Sequence, residues 1–503
     1  MDTIPSCHVV AMPHPGRGHI NPMMNVCKLL SCYQGLVITF VVTDEWLGLI
    51  GLAPKPSNIQ LRSIPNVIPS ELDRGADYAG FLEAVFTKMA DPFDRLLDQL
   101  NQPISCIIAD THLPWAVEIG NRRSIPVASL WTMTPAVFSI FHHYDLIMSN
   151  LHLTADDDLS GQYATVRHGV TIKFKSHAID RDHKVMDDFR PYVTFKDGGM
   201  IEEKNCLIGI PGITSIRVRD LPSIFLQKDA NGVQLLSRAL QAFQSVPKSQ
   251  CLMLASFYEQ DTHAIDTLRA ILALPIYPVG PTIPYMSLHK TSSDSKDRTP
   301  VDYFSWLDSR SKCSVLYVSL GSFLPISGPQ MDEFLLGLGS SGVHFLWVAR
   351  GDAGHLREAA AINGEIGLVV PWCDQLRVLS HPSIGGFLTH CGWNSTMESI
   401  FAGVPMLTFP LFWDQTTNAK SIVEDWKVGI RLKKEVGQEN VVKSDEIART
   451  VHRLMDLDGD ESKELRRRAR ELQEYCKRAI STGGSSTASL DTFVRDFVRG
   501  RNG

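Results

Sequence analysis

Apolar and polar positions along this chain fall into blocks that read as strand, helix, strand. The clearest block runs from Trp372 to Gln415, WCDQLRVLSHPSIGGFLTHCGWNSTMESIFAGVPMLTFPLFWDQ. It holds a short loop, an apolar run GGFLTH, a turn at Cys391 and Gly392, a helix from about Asn394 to Ala402 and a second apolar run MLTFPLF. That is the repeating unit of a parallel sheet. The amino-terminal region has the same form: the run HVVAMP at 8–13, a glycine-rich loop HPGRGHINP, a helical pattern MMNVCKLLSC and the run LVITFVVTDE. ISCIIAD followed by WAVEIGNRR repeats it, as do QCLMLASFYEQDTHAIDTLRAIL and FSWLDSRSKCSVLYVSLGSF, and HFLWVAR reads as one more strand.

Other stretches break the pattern. The aromatic run VASLWTMTPAVFSIFHHYDLIM is either a wall of core or the lining of a pocket, and the adjacent His142 and His143 point apart on a helix, which argues against a shared metal. Residues 157–205 mix charges of both signs without periodicity and read as a long loop or disorder. LHKTSSDSKDRTP reads as a linker and Gly351 to Ile366 as a mobile connection. The tail GGSSTASLDTFVRDFVR reads as a flexible break before a short amphipathic helix. RRRAR, in the long helical stretch before it, reads as a solvated helix face.

Composition narrows the class. At 503 residues the chain exceeds one ordinary core and fits two domains of roughly 200 to 250 residues. The net charge of -6 gives no electrostatic case for nucleic acid or an anionic membrane. Ten cysteines without a C-x-x-C speak against a zinc site or a disulfide framework and for a reducing compartment. Neither a signal peptide nor a membrane span is expected, so the predicted location is cytoplasmic.

The candidate chemistry gathers at strand ends. His390, Gly392, Trp393, Asn394 and Ser395 fall where strand gives way to helix, a ready anion site. Asp414 and Gln415 end the next strand and reach the same crevice, while Trp372 and Gln375 can offer a ring and an amide to a base. The set suits a sugar nucleotide. Gly321 and Ser322 follow a strand and can touch a diphosphate. Ser395-x-x-Glu398 also has the form of a capping box, and Gly403-Val404-Pro405 that of a helix stop. Gly16-x-Gly18-x-x-Asn21, with Asp44 as a ribose ligand, makes a partial dinucleotide fingerprint, so an NAD(P)-dependent oxidoreductase is a competing reading. His19 lies in that loop, and Asp110 ends the run ISCIIAD.

The 44-residue stretch Trp372 to Gln415 closely resembles the donor-binding box of plant small-molecule UDP-glycosyltransferases over its whole length. The resemblance implies Trp372 stacked on uracil, Cys373 (through its backbone) and Gln375 at the base edge, and Glu398 on the ribose. It further implies His390, Asn394 and Ser395 at the diphosphate, Gly392 in the same turn, and Trp393, Asp414 and Gln415 at the sugar, the terminal Gln being associated with glucose. Cys373-Asp374 replaces the usual Ala-Pro, a departure of small consequence for a backbone contact. His19 resembles the general base of these enzymes and Asp110 its orienting partner.

The implied fold is α/β, GT-B, two facing Rossmann-like domains with a cleft between them. The implied division is an acceptor-binding domain at 1–282, a linker at 283–300, a UDP-sugar-binding domain at 301–480 and a C-terminal helix at 481–503 returning to the first domain. Residues 157–205 read as an insertion relative to that family, a genuine loop or retained noncoding sequence. The implied activity is inverting transfer of a hexose, glucose by preference, from a UDP-sugar to a hydroxyl of a small lipophilic acceptor. No metal and no cofactor beyond the donor UDP-glucose are expected, and the chain is expected to be a monomer. A UDP-sugar-binding homologue whose catalysis is blocked by the insertion is the alternative.

Overall fold

The computed structural model describes residues 7–71, 74–75, 77–151, 164–166, 170–173, 192–195, 207–227, 229–288, 302–321, 326–349, 366–433 and 441–500. Its strands in chain order are β1 (Cys7–Met12), β2 (Leu36–Thr43), β3 (Ile59–Ile64), β4 (Ile104–Asp110), β5 (Val127–Trp131), β6 (Ala164–Val166), β7 (Val170–Lys173), β8 (Tyr192–Phe195), β9 (Leu207–Ile210), β10 (Ile213–Arg217), β11 (Cys251–Leu254), β12 (Ile276–Pro278), β13 (Val315–Ser319), β14 (His344–Val348), β15 (Gly367–Val370), β16 (Ile384–Thr389), β17 (Met406–Thr408) and β18 (Gly429–Arg431).

Two parallel sheets carry the architecture. The first has the order β12-β11-β5-β4-β1-β2-β3 and the second β15-β14-β13-β16-β17-β18. Every pairing within them is parallel. Parallel strands need crossovers, and the crossovers cover both faces of a sheet, so both faces must be apolar. The residues obey that rule. On β1, Val9 and Ala11 join one core with Phe40, whereas Val10 and Met12 join the core on the opposite face with Val41. On β13, Val315 and Tyr317 face one way and Leu316 and Val318 the other. This double burial is why the strands appear in the sequence as unbroken apolar runs rather than alternating ones. Truncating one such side chain, Phe40→Ala for example, is expected to cost about 3–5 kcal/mol.

The strand order also locates the crevice. In the first sheet the chain starts at β1, builds outward to β3 and then returns to β1's other edge as β4; in the second it starts at β13 and returns as β16. Connections leave in opposite directions at these two points, which opens a gap at the carboxyl ends of β1 and β4 and of β13 and β16. Residues His19 and Asp110 follow the first pair, and Gly321 and His390 to Ser395 the second.

Several bonds join the two sheet layers. Trp393 Nε1 donates to the Ala255 carbonyl at 2.9 Å. Arg217 pairs with Glu424 at 2.7 Å, and Arg431 with the buried Asp220 at 2.9 Å. The final helix, Ser485–Phe493 with its continuation to Val498, packs Leu490, Phe493, Val494 and Val498 into the same core as Val9 and Phe40, so the chain's last apolar stripe is covered by the first sheet. No described helix is long and apolar enough to cross a membrane, and no disulfide joins the described cysteines.

Two local expectations are corrected. Residues 157–205 lie mostly outside the described residues, yet β6, β7 and β8 form a small antiparallel sheet there instead of an unstructured loop. The runs ATV and VTIK, separated by three residues that include Gly169, carry a hairpin signal that the surrounding charges mask. The amino-terminal helix spans Arg17–Leu30, starting inside the glycine-rich loop rather than at Met23. Pro22 within it obscured the pattern. Most of the expected linker and nearly all of the expected connection at 351–366 lie outside the described residues.

Candidate active site

The first wall of the cleft is set by the ends of β1 and β4. After β1 the chain turns through Gly16, an extended N-cap residue, and starts a helix whose first turn holds His19. Asp110 closes β4 and is 1% exposed. Its Oδ2 lies 2.8 Å from His19 Nδ1, while Oδ1 accepts from the His112 main-chain N–H at 3.0 Å and lies 3.2 Å from His112 Nδ1. Thr132 Oγ1 lies 3.0 Å from His19 Nδ1. Burial on its own pushes the Asp110 carboxyl upward, but the charge of His19 and the hydrogen bonds from His112 and His19 outweigh it and hold the group well below the usual carboxylate range. Asp110 is therefore a fixed anion behind His19.

His14 packs its ring 4.8 Å from that of His19. Both of its ring nitrogens are buried without a hydrogen-bond partner among the described residues, and burial, aided by His19, pushes its pKa well down, so it is neutral. His19, Asp110 and His112 bring donor atoms within 4.8 Å of one another, the make-up of a cation site. The His–Asp separations of 2.8 and 3.2 Å are hydrogen-bond lengths and account for the cluster without an ion.

The glycine loop is filled from behind. A Cβ on Gly16 would meet Arg74 Nη1 at 2.4 Å, and that guanidinium donates to the Pro15 carbonyl at 3.3 Å and pairs with Glu71 at 3.0 Å. Arg74 closes the space beside Gly16, and Asp44 lies exposed in the first turn of its own helix. The geometry gives the oxidoreductase reading no support.

The second wall is the turn after β16. Cys391 takes a left-handed φ of 66°, Gly392 is the extended N-cap, and the helix Trp393–Ala402 begins without a side-chain cap, ending at Gly403 with φ of 70°. The capping-box reading of Ser395 and Glu398 is thus corrected. Ser395 Oγ instead accepts from Gln375 Nε2 at 2.9 Å, and Glu398 Oε2 accepts from the same nitrogen at 2.6 Å. Tyr317 Oη donates to Gln375 Oε1 at 3.1 Å, which fixes the amide's orientation. With no side-chain cap, the first-turn N–H groups at Gly392 to Ser395 border the cavity without an intrahelical partner, an arrangement able to receive an anion.

His390 is wedged beside this turn. A Cβ on Gly321 would come within 2.8 Å of its Nε2, and one on Gly392 within 2.4 Å. Burial lowers its pKa to about 4, partly offset by a backbone bond to Ser319, so the ring is neutral. Burial raises Glu398 to about 7 and Asp414 to about 6, each against a hydrogen bond, from Gln375 and Asn418 respectively. Gln415 Oε1 accepts from Leu411 and Phe412 N–H at 2.8 and 3.1 Å, which leaves its amide nitrogen as the end it offers the cleft.

A cavity of ≈ 340 Å³ brings His19, Gln375, His390, Gly392, Trp393, Asn394, Ser395, Glu398, Asp414 and Gln415 together. Asp110 lies behind His19. Trp372, 41% exposed, and the buried Cys373 are not part of the lining, and Ser322 lies outside the described residues. The Trp393 indole is committed to Ala255, so a ligand meets this residue's backbone. The lining also includes His14, Arg74, Tyr78, His112, Thr132, Met133, Phe412 and Trp413, which sequence reasoning did not single out. His14, two residues before Gly16, His112, two after Asp110, and Phe412 and Trp413, just before Asp414, stood next to flagged residues, and Thr132 and Met133 lay in the aromatic run already considered as a pocket lining; Arg74 and Tyr78 had no such signal. The aromatic run after Pro126 resolves into core: Trp131, Phe138 and Phe141 are buried together, and Thr132 and Met133 alone of that run reach the cavity.

A family model described as UDP-glucoronosyl and UDP-glucosyl transferase matches residues 196–448. UDP-glycosyltransferase 87A2 of Arabidopsis thaliana is 45% identical over 493 residues, covering 98% of this chain and 97% of the relative. Two solved structures share the fold. UGT71G1 of Medicago truncatula, complexed with UDP-glucose, superposes with a TM-score of 0.76 at 24% identity, covering 98% of this chain and 99% of its own. UGT2 of Phytolacca americana, complexed with UDP-2fluoro-glucose and pterostilbene, does so with 0.73 at 25% identity, covering 97% and 98%. Two facing Rossmann-like sheets, a cleft with an uncapped helix start on one side and a His–Asp pair on the other, and near-full-length identity converge: the chain has the GT-B fold and belongs to the plant UDP-glycosyltransferases, transferases that take a sugar from a UDP-sugar.

Proposed function

We propose that this transferase moves glucose from UDP-glucose, with inversion, to a hydroxyl of a small lipophilic acceptor. The observation that carries the reading is the 2.8 Å contact of His19 Nδ1 with the buried Asp110, in a cavity shared with the uncapped start of the Trp393 helix. Because Nδ1 donates to the carboxylate, the Nε2 lone pair is the base. It takes the acceptor's proton as the acceptor oxygen bonds to the anomeric carbon and the bond from that carbon to UDP breaks. Asp110 offsets the imidazolium that results, and the first-turn N–H groups with Asn394 and Ser395 receive the charge on the departing diphosphate. Glu398 takes the ribose, Trp372, Cys373 and Gln375 the base, His390 and Ser322 the diphosphate, and Trp393, Asp414 and Gln415 the sugar. The Gln415 amide nitrogen supports glucose, whose hydroxyls can accept from it.

Among polar groups, the cavity lining includes the apolar and aromatic Tyr78, Leu82, Met133, Phe412 and Trp413, which favours a flat or lipophilic acceptor; the Phytolacca structure is complexed with pterostilbene. Residues 1–282 and 301–480 are assigned to acceptor and donor respectively, joined by 283–300, with 481–503 returning to the first. A cytoplasmic monomer is the form assigned. The test is UDP release from UDP-glucose across a panel of phenols and alcohols. Acceptor-stimulated release is expected; no release, together with no thermal protection by UDP, would overturn the assignment.

A further inference from the structure

The residues assigned to the sugar, Asp414 and Gln415, form the start of the helix Gln415–Lys420, which is held from the opposite unit. Trp413, just before them, has a left-handed φ of 58°, a conformation that a bulky side chain keeps only when its surroundings impose it. The imposing group is Ser223. Its N–H donates to the Trp413 carbonyl at 2.8 Å, and its Oγ accepts from the Trp413 N–H at 2.7 Å, a two-bond clamp around a single residue. Next to it, Thr416 Oγ1 donates to the Leu221 carbonyl at 2.6 Å and Thr417 Oγ1 to the Asp220 carbonyl at 2.8 Å. The segment that does the holding is itself fixed: Asp220 is buried between Arg217 and Arg431, and Ile224 packs in the core with Trp131 and Met133. None of the four bonds involves residues 390–398, where UDP is assigned.

We infer that Ser223 is a positioning residue for sugar transfer: through Trp413 it sets where Asp414 and Gln415 stand relative to His19, so the acceptor-side unit fixes the geometry of sugar recognition. This rests on the donor reading above. Trp413 also lies 6.2 Å, ring to ring, from His112 and 6.3 Å from Tyr78, so the same clamp shapes the acceptor side of the cavity.

The test separates sugar from nucleotide. In Ser223→Ala the Trp413 N–H loses its partner in a partly buried setting, and KM for UDP-glucose is expected to rise about three- to tenfold while the inhibition constant for UDP stays within about twofold. Ser223→Thr keeps the hydroxyl and is expected to restore the wild-type constant. Thr416→Val reads the same clamp from its other bond, shifts KM in the same direction and serves if Ser223→Ala does not fold. Unchanged KM in both variants, or UDP inhibition weakened in step with KM, would overturn the inference. Absence of acceptor-stimulated UDP release from the wild-type protein would instead sink the donor reading itself.

Discussion

The side-chain amide of Asn394 donates to the main-chain carbonyl of Gly18, 3.1 Å away across the cleft. Pro22 stands four residues after Gly18 in the same helix and has no N–H, so it cannot give that carbonyl its intrahelical partner. The helix after β1 thus presents an open carbonyl, and a residue from the helix after β16 caps it. Asn394→Ala is expected to weaken UDP-glucose binding about three- to tenfold. Asn394→Asp sets a carboxylate against both the Gly18 carbonyl and the diphosphate and should cost more than tenfold by estimate, roughly 1.4 kcal/mol or above. Titration calorimetry checks the order; Asp binding as well as Ala would contradict the placement at the diphosphate.

That bridge marks where sequence reasoning stops. Strands β1, β4, β13 and β16 were legible because burial on both faces writes them as apolar runs, and topology set His19 and Asp110 at the carboxyl edge of one sheet and His390 and Asn394 at that of another; only the family resemblance implied that the two edges share a cleft. The roles of Arg74, Ser223 and Trp413 were not legible, although Trp413 stands beside the flagged Asp414. Each acts through a partner far along the chain, Pro15, Trp413 and Ser223, and no local period encodes such a pairing. Ser395 and Glu398 misled for the opposite reason: their spacing fits a local motif, but Gln375 takes both side chains.

His19 stands between Asp110 and the cavity, so removing it should stop proton transfer and spare nucleotide binding. His19→Ala is expected to lower kcat/KM by about 10²- to 10⁴-fold with UDP affinity within about twofold of wild type. Asp110→Asn keeps the shape, loses the charge that offsets the imidazolium, and is expected to cost about 10²- to 10⁴-fold. Equilibrium UDP binding beside steady-state turnover distinguishes these from collapse of the fold; a joint loss of both would remove His19 from the role of base.

Burial raises the Glu398 carboxyl to about 7 from an ordinary 4.5, although the Gln375 N–H pulls the other way. The folded protein therefore holds this proton more tightly than the unfolded chain. Its contribution to stability is full below 4.5 and is lost as pH rises through about 7. Asp414, raised to about 6, has the same sign. The unliganded protein is expected to melt at lower temperature at pH 8 than at pH 5, and Glu398→Gln to show a smaller decline. Ribose hydroxyls donate best to the ionised carboxylate, so UDP-glucose should bind more tightly over the same rise. Differential scanning calorimetry across this range decides it; an identical decline in Glu398→Gln would remove Glu398 as a cause.

His390 offers a sharper test because two glycines confine one ring. A Cβ at Gly392 would lie 2.4 Å from His390 Nε2, yet Gly392 has φ of −62°, which any residue adopts. Gly392→Ala should therefore displace the ring without straining the backbone, lowering UDP affinity about tenfold at a packing cost of about 1–3 kcal/mol. A Cβ at Gly321 would lie 2.8 Å from the same nitrogen, but Gly321 carries φ of +86°. Gly321→Ala should lose affinity and, in addition, roughly 1–2 kcal/mol of stability for the left-handed backbone. Measuring UDP affinity and chemical denaturation on both variants separates the steric effect from the conformational one. If Gly392→Ala binds UDP as the wild type does, the neutral imidazole of His390 is not in contact with the diphosphate, and the anion site reduces to the helix start and its side chains at Asn394 and Ser395.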